Sequence, residues 1–397
     1  MRKNLICLVI VLTILFPLFA GEECSTAIIS GEASYNGAPL LWKNRDTGHI
    51  LNKVIYVKEV PYNYIAIVNH NETSGRSVFA GINSAGFAIM NSVAYNLPKK
   101  SGERTDLEGI IMADALRKCR TVDDFENYIK ANLGPGLGSQ ANFGVIDSEG
   151  NAALFEVYNH GYKRLDATDF PEKYIVNTNF SRSGAPLKGY GYIRFTRVTQ
   201  LLKKEKGISP YYILQTVARD VSNALVPIPP RSQWKLLDPS RPFWVYTTDS
   251  INRPSTASAV VFQGVRKNQD PSNSIMWVIL GEPVTSIAIP LWVKAGKVPE
   301  LLWKGEIAPI DREAMRLKNI LRPLKGGNRS EYIDLTKLDN RKGTGWLPVI
   351  LKTEQEIFRQ TAEFTKVSRS PEELAEFQEK IAVKVYKTLK SLGKKDK

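Results

Sequence analysis

The order of extended and helical segments predicts an α+β chain in which antiparallel sheets are covered by helices. Three observations carry this. Short β-branched or aromatic runs fall into three blocks, at 25–93, 141–180 and 242–283. Helical patterns lie between the blocks instead of alternating with single strands. Gly, Pro and Asn-Gly signals separate the runs, as hairpin-connected strands require.

In the first block, "STAIISGEA", "APLLWKN", "KVIYVKEV", "YIAIVNH" and "GFAIMNSV" read as strands, and Asn36-Gly37 is a tight-turn dipeptide between the first two. Two helices follow. "TDLEGIIMADALRKC" opens with Thr105 and Glu108 at capping-box spacing, and "TVDDFENYIKANL" runs from Thr121 to the Gly134-Pro135-Gly136 loop. "ANFGVIDSEG", "NAALFEVYN" and "KYIVNTNF" resume the strands. "GYIRFTRVTQLLKKEKG" and "SPYYILQTVARDVSNAL" read as helices, and "PFWVYTTD", "ASAVVFQGV" and "SIMWVILGEP" as strands. After Pro290 the chain turns basic and helical, and Ser370-Pro371-Glu372-Glu373 marks a helix start. We expect 296–397 to be a mostly helical extension that packs on the core or mediates contacts.

The amino terminus reads as a secretory signal. Arg2 and Lys3 precede an uncharged run from Leu5 to Leu18, and the small residues Ala20 and Gly21 follow. That run is short for a membrane span, which needs roughly 20 residues. We therefore expect a leader over 1–20, cleaved after Ala20, and an exported, secreted or periplasmic protein. Cys7 would leave with the leader, so the mature chain keeps Cys24 and Cys119, too few for a disulfide scaffold. His49, His70 and His160 lack zinc-site spacing, so no metal is expected. Net charge is +14, partly from Lys384, Lys387, Lys390, Lys394, Lys395 and Lys397. No nucleic-acid reading module accompanies that charge. Contact with an anionic envelope surface and homo-oligomerisation stay open.

Cys24 sits just past the leader. A thiol attacks as its thiolate and needs a base to take the proton. A histidine could serve. If Cys24 heads the mature chain, its own α-amine could serve instead, with an ordinary pKa of ~7.7–8.0 near the working pH. Nineteen positions on lies Lys43 in "WKNRD", with Asp46 three further: a cation lowers a neighbouring thiol's pKa, and a carboxylate can hold an ammonium in place.

Here the sequence resembles the choloylglycine hydrolase and penicillin acylase family, together with acid ceramidases and isopenicillin N acyltransferases. These are N-terminal-nucleophile (Ntn) hydrolases whose chains begin Cys-Thr/Ser and then reach a "G-R-N-x-D" strand. Cys24-Ser25-Thr26 matches the opening, and "W-K-N-R-D" the strand, with Lys43 in place of arginine and Trp42 in place of glycine. "AGINSAGFAIMNS" resembles the segment whose closing asparagine lines the oxyanion hole, giving Asn91. "VNTNFS" resembles the strand end that supplies the second oxyanion donor, giving Asn179, and "GYIRFTR" the helix bearing a catalytic arginine, giving Arg194 beside Arg197. The likeness covers about 24–290.

The resemblance implies an αββα sandwich of two stacked antiparallel sheets over 24–295, preceded by a propeptide, 21–23, removed to free the Cys24 amine. It implies hydrolysis of a linear carbon–nitrogen amide in an acyl-amide substrate, with acyl transfer as a variant. Cys24 would be the nucleophile, Asn179 and the Asn91 backbone N–H would hold the oxyanion, and Asp46, Arg194 and Lys43 would orient the amine and thiol. No cofactor is implied. Two other readings stand beside this one: a non-enzymatic basic envelope protein and a histidine-assisted cysteine peptidase. Cys119 reads as a core or helix-end thiol.

Overall fold

A computed structural model describes residues 22–394. The expected leader over 1–20, Gly21 and the last three residues lie outside the described residues. Along the chain come β1 (Glu23–Ile29), β2 (Leu40–Asp46), β3 (Asn52–Val57), β4 (Tyr64–Asn69), β5 (Ala80–Asn83) and β6 (Ala88–Val93). Helices α1 (Glu108–Lys118) and α2 (Val122–Asn132) precede β7 (Ala141–Ile146), β8 (Ala152–Tyr158), β9 (Gly161–Asp166) and β10 (Tyr174–Asn177). Then come α3 (Tyr192–Leu202), α4 (Pro210–Tyr212), α5 (Arg231–Trp234), β11 (Trp244–Tyr246), β12 (Thr256–Gln263), β13 (Ile275–Leu280) and β14 (Ile289–Leu291). The carboxy-terminal part holds α6 (Pro309–Leu321), β15 (Tyr332–Asp334), α7 (Leu335–Leu338), α8 (Leu347–Phe364) and α9 (Pro371–Ser391).

Two large antiparallel sheets form the centre. One has six strands in the order β10-β1-β2-β12-β13-β14; the other is a seven-stranded meander from β3 to β9. Their facing sides meet in one apolar layer, with Ile28 and Leu41 from the first sheet against Ile82, Met90 and Leu154 from the second. Gly144 on β7 sets that approach: a Cβ there would lie 3.0 Å from both Ile28 Cγ1 and Leu41 Cδ1. α1 and α2 cover the outer side of the seven-stranded sheet, burying Met112, Leu116, Phe125 and Ile129 against Ile89, Phe143 and Phe155. α3, α8 and α9 cover the outer side of the other, where Phe358 of α8 stacks on Trp277 of β13 with centroids 4.1 Å apart. The arrangement is the expected αββα sandwich, and the central strands are buried on both faces.

Three local expectations change. The helix expected from Thr105 begins at Glu108, and no side chain caps it. The Glu108 carboxylate instead turns into the protein and accepts from Ser139 Oγ at 2.9 Å, so the capping-box spacing serves a tertiary contact. The helix expected over 209–225 stops after α4 and a π-turn over Ile213–Val217. There the Arg219 side chain is drawn inward to the Pro283 and Ser286 carbonyls, each at 2.9 Å. None of the strands expected from the sequence covers β5, β9, β14 or β15; β5, β14 and β15 are only four, three and three residues long.

The carboxy-terminal helices share the core. Leu317, Ile350, Ile357, Ile381 and Val385 pack into the same cluster as the sheets. Asp311 on α6 accepts the Asn52 backbone N–H at 2.9 Å, and Arg219 meets Glu354 of α8 at 2.8 Å with both side chains wholly buried. β15 pairs with β11. Among the described residues no helix is long and apolar enough to cross a membrane.

Candidate active site

Cys24 is the second residue of β1, and its neighbours follow from strand register. In the β1–β2 pair Cys24 lies opposite Arg45, Thr26 opposite Lys43, and Glu23 opposite Asp46. Directly opposed residues of an antiparallel pair share a face, and successive residues alternate faces. Cys24, Lys43 and Arg45 therefore point into the space between the sheets. Glu23, Ser25 and Asp46 point outward, to the layer that carries Arg194. The sequence-level grouping of Lys43 with Asp46 separates into two faces of one strand.

On the inner face the Cys24 thiol is 2% exposed. Burial pushes its pKa up, and the Lys43 ammonium and the Asp46 backbone N–H draw it back only in part. Lys43 Nζ donates to the Phe79 carbonyl at 2.9 Å and to Asn91 Oδ1 at 2.6 Å. Asn91 thus meets the site through its side chain, as the acceptor that holds Lys43. Burial lowers the Lys43 pKa, while the thiolate and Glu22 charges oppose that shift. Arg45 lies 3.4 Å over the Phe79 ring and donates to Asn52 Oδ1, Asn69 Oδ1 and Glu22 Oε1 at 3.1, 2.9 and 3.0 Å.

The Cys24 backbone is held on both sides. Its N–H donates to Asn179 Oδ1 at 3.0 Å, and its carbonyl accepts from Arg194 Nη1 at 2.7 Å. Arg194, on α3, also donates to Ser25 Oγ at 3.0 Å, Asn179 Oδ1 at 2.9 Å and Glu23 Oε2 at 2.6 Å. Two N–H donors converge on one Asn179 atom, which identifies that atom as the oxygen. The Asn179 Nδ2 group donates to the Val93 carbonyl at 3.0 Å and to the Glu22 carbonyl at 3.4 Å.

Asp46 is wholly buried. Its Oδ1 accepts from Thr256 Oγ1 at 2.7 Å, its Oδ2 has no hydrogen-bond partner, and Arg194 Nη1 lies 3.9 Å away. Burial raises its pKa to about 6, against the pull of Arg253 and Arg194. A register shift between Thr256 and Ser258, a bulge in β12, aims Thr256 at Asp46. The structure therefore gathers Cys24, Lys43, Asp46, Asn91, Asn179 and Arg194 around one residue.

Sequence reasoning missed Arg45, Thr256 and Arg253. Period-two alternation from Lys43 flags Arg45. Nothing local marks Thr256 or Arg253, which a bulge and a turn bring in from more than two hundred residues away. His49 and His160 are exposed, His160 lies 3.2 Å from Glu103, and half-buried His70 follows Asn69, an acceptor of Arg45. Cys24 and Cys119 are both free thiols. Cys119 is buried at the end of α1, with its pKa pushed up to about 12 by burial. Cavities of 620 and 610 Å³ lie away from Cys24, beside Trp234 and Trp303. A smaller one of 260 Å³ is lined by Val93, Tyr95 and Glu108, and Tyr95 donates its hydroxyl to the Glu22 carbonyl at 3.0 Å.

On the first strand of an αββα sandwich, the backbone of one cysteine is held by an asparagine and an arginine. Residues 33–209 match the family model described as acyl-coenzyme A:6-aminopenicillanic acid acyl-transferase, and the likeness to the Ntn acylase and acyltransferase superfamily stands on that match. Among solved structures the chain is similar to a Caenorhabditis elegans N-acylethanolamine-hydrolyzing acid amidase ortholog. That likeness is 12% identical, covers 60% of this chain and 92% of that one, and has a TM-score of 0.40. Penicillin V acylase from Agrobacterium tumefaciens is 13% identical over 67% of this chain and 85% of that one, TM-score 0.40. A mutant conjugated bile acid hydrolase from Clostridium perfringens is 11% identical over 64% and 89%, TM-score 0.35. No curated protein matches the chain in sequence.

Proposed function

We propose that this chain is an exported enzyme that cuts a linear carbon–nitrogen amide bond, with Cys24 as nucleophile once the residues before it are removed. The observation that carries this is the convergence on one cysteine backbone of groups far apart in sequence. Asn179 accepts its N–H and Arg194 binds its carbonyl. That is costly machinery for an inert thiol, and apt for a residue whose nitrogen must be placed.

In the uncut chain the Cys24 nitrogen is an amide and cannot take a proton. Processing changes that. Attack of Sγ on the Glu23 carbonyl carbon forms a carbon–sulfur bond and breaks the Glu23–Cys24 carbon–nitrogen bond, leaving the nitrogen as an amine. Water then cleaves the thioester, releasing the Glu23 carboxylate and the thiol. Loss of Glu22 frees one Asn179 Nδ2 hydrogen from its carbonyl, a donor for the oxyanion of the next substrate.

Turnover repeats the chemistry on an acyl amide. The α-amine takes the thiol proton, sulfur attacks the carbonyl, and the leaving amine receives that proton. Water releases the acid, or a second amine takes the acyl group in the transferase variant. Lys43 favours the thiolate, Arg194 and Asn179 hold the amine in place, and Asp46 balances the two guanidiniums behind it.

Intact mass and amino-terminal sequencing of exported protein test the reading. Wild type is expected to begin at Cys24, and Cys24→Ala to retain Gly21-Glu22-Glu23 and show no amidase activity. Full activity in a chain still carrying Glu23 would refute it.

A further inference from the structure

Glu23 is the acyl group of the first bond that this site would cut, so the contacts of its side chain describe the acyl subsite. Its carboxylate sits between two guanidiniums: Arg194 Nη2 at 2.6 Å and Arg253 Nη1, which pairs with the same Oε2 atom. Burial opposes the charge on Glu23, and Arg253 and Arg194 more than offset it, holding its pKa below the ordinary carboxylate value.

The two arginines are not equivalent. Arg194 keeps the Cys24 carbonyl, Ser25 Oγ and Asn179 Oδ1 whatever happens to Glu23. Glu23 is the one side-chain acceptor that the Arg253 guanidinium has among the described residues, and its buried Nε has no partner at all. Its side chain is 12% exposed, and the turn that carries it is fixed by Arg253 N donating to Thr256 Oγ1 at 3.0 Å. Removing Glu23 takes away that acceptor and leaves a mostly buried, oriented guanidinium that faces the Asp46 and Asp249 charges without a hydrogen bond to either, beside the space that Glu23 vacates.

We propose that Arg253 is the specificity-determining residue of an anionic acyl subsite, selecting acyl groups that carry a carboxylate at the spacing of Glu23. In Glu23 three carbons separate the attacked carbonyl carbon from the carboxylate carbon. A glutaryl group has the same spacing, as does an α-glutamyl group. The ligand class is a dicarboxylic or α-glutamyl amide cleaved on the side of its neutral carbonyl. This rests on Cys24 being the nucleophile of the processed chain.

The test uses processed full-length protein and two anilides of equal length: glutaryl-4-nitroanilide and its neutral 4-carbamoylbutanoyl analogue. Each turnover makes the thioester, releases 4-nitroaniline with the proton taken from the thiol, and ends with water forming the acid. Wild type is expected to cleave the glutaryl probe with kcat/KM at least tenfold higher. In Arg253→Met that ratio, read within one protein, is expected to fall close to one, and Arg253→Lys to keep part of it. Because Arg253 also holds Glu23, its variants are expected to process more slowly, so protection provides a second readout on wild type alone. Glutarate should shield Cys24 from iodoacetamide at a concentration at least tenfold below that of glutaramide. Thiol-dependent cleavage of both probes at equal rates, or a preference that survives Arg253→Met, overturns the subsite and leaves the nucleophile standing. Absence of a Cys24-dependent reaction with either probe, in protein shown by mass to begin at Cys24, overturns both.

Discussion

Lys43 is a point charge where the resembled "G-R-N-x-D" strand has a forked arginine, and the structure shows what keeps that charge in position. Asn91 Oδ1 and the Phe79 carbonyl take two of its three donors, which leaves one direction for the sulfur. The forked role on this face falls to Arg45, which reaches three side-chain acceptors and covers Phe79. The thiol is raised by burial and drawn down by Lys43, so losing that charge raises it further and shrinks the thiolate fraction near neutrality. Lys43→Met is expected to slow alkylation of Cys24 by iodoacetamide about tenfold at pH 7, the effect of one pKa unit. The difference should close as the pH passes above the thiol's pKa. An alkylation rate unchanged across pH 6–10 would remove Lys43 from the thiol's electrostatics.

Elements act on the site through their junctions. The bulge in β12 places Thr256 under Asp46, and α6 holds the strand that follows β2 by seating Asp311 on the Asn52 amide. Burial raises the Asp311 pKa to about 7, and its Oδ1 has no partner. The folded state therefore retains a proton that the unfolded chain, with an ordinary aspartate pKa of ~3.9, has already released. Above ~3.9 the unfolded state binds fewer protons, so this group's contribution falls as pH rises and levels off above about 7. Asp311→Asn keeps an acceptor for Asn52 and abolishes the titration. It should gain stability over wild type between pH 4 and pH 8, by up to about 4 kcal/mol on the scale of 1.36 kcal/mol per pKa unit. Urea midpoints at the two pH values measure it, and a constant difference between variant and wild type would contradict the assignment.

At the scale of the whole molecule, the carboxy-terminal helices close the outer layer over the six-stranded sheet. Their docking turns on one buried ion pair. Glu354 accepts from Arg219 through both oxygens, at 2.8 and 2.9 Å, and also from Gln215 Nε2 and the Ala288 N–H. Breaking a buried pair while leaving one charge in place costs ~3–5 kcal/mol. Glu354→Gln should lose stability of that order, seen as a lower urea midpoint, while the wild-type slope is retained. If α8 and α9 alone detached, far-ultraviolet and tryptophan signals would separate, because Trp277 and Trp292 lie under these helices.

The blocks of short strands and intervening helices were legible along the chain because hydrophobic period and turn chemistry are local. So were Cys24 near the amino terminus, the "WKNRD" strand, and the asparagine and arginine motifs that a family resemblance could match. The tertiary structure decided what no window of sequence contains: which face of β2 meets the thiol, that Asn91 serves Lys43 through its side chain, and that Arg253 and Thr256 join the site across a bulge. It also decided that Glu108 gives up a cap to reach Ser139. Period and capping depend on neighbours a few residues apart, whereas register, bulges and buried charge pairing are settled only when distant strands are packed and desolvated together.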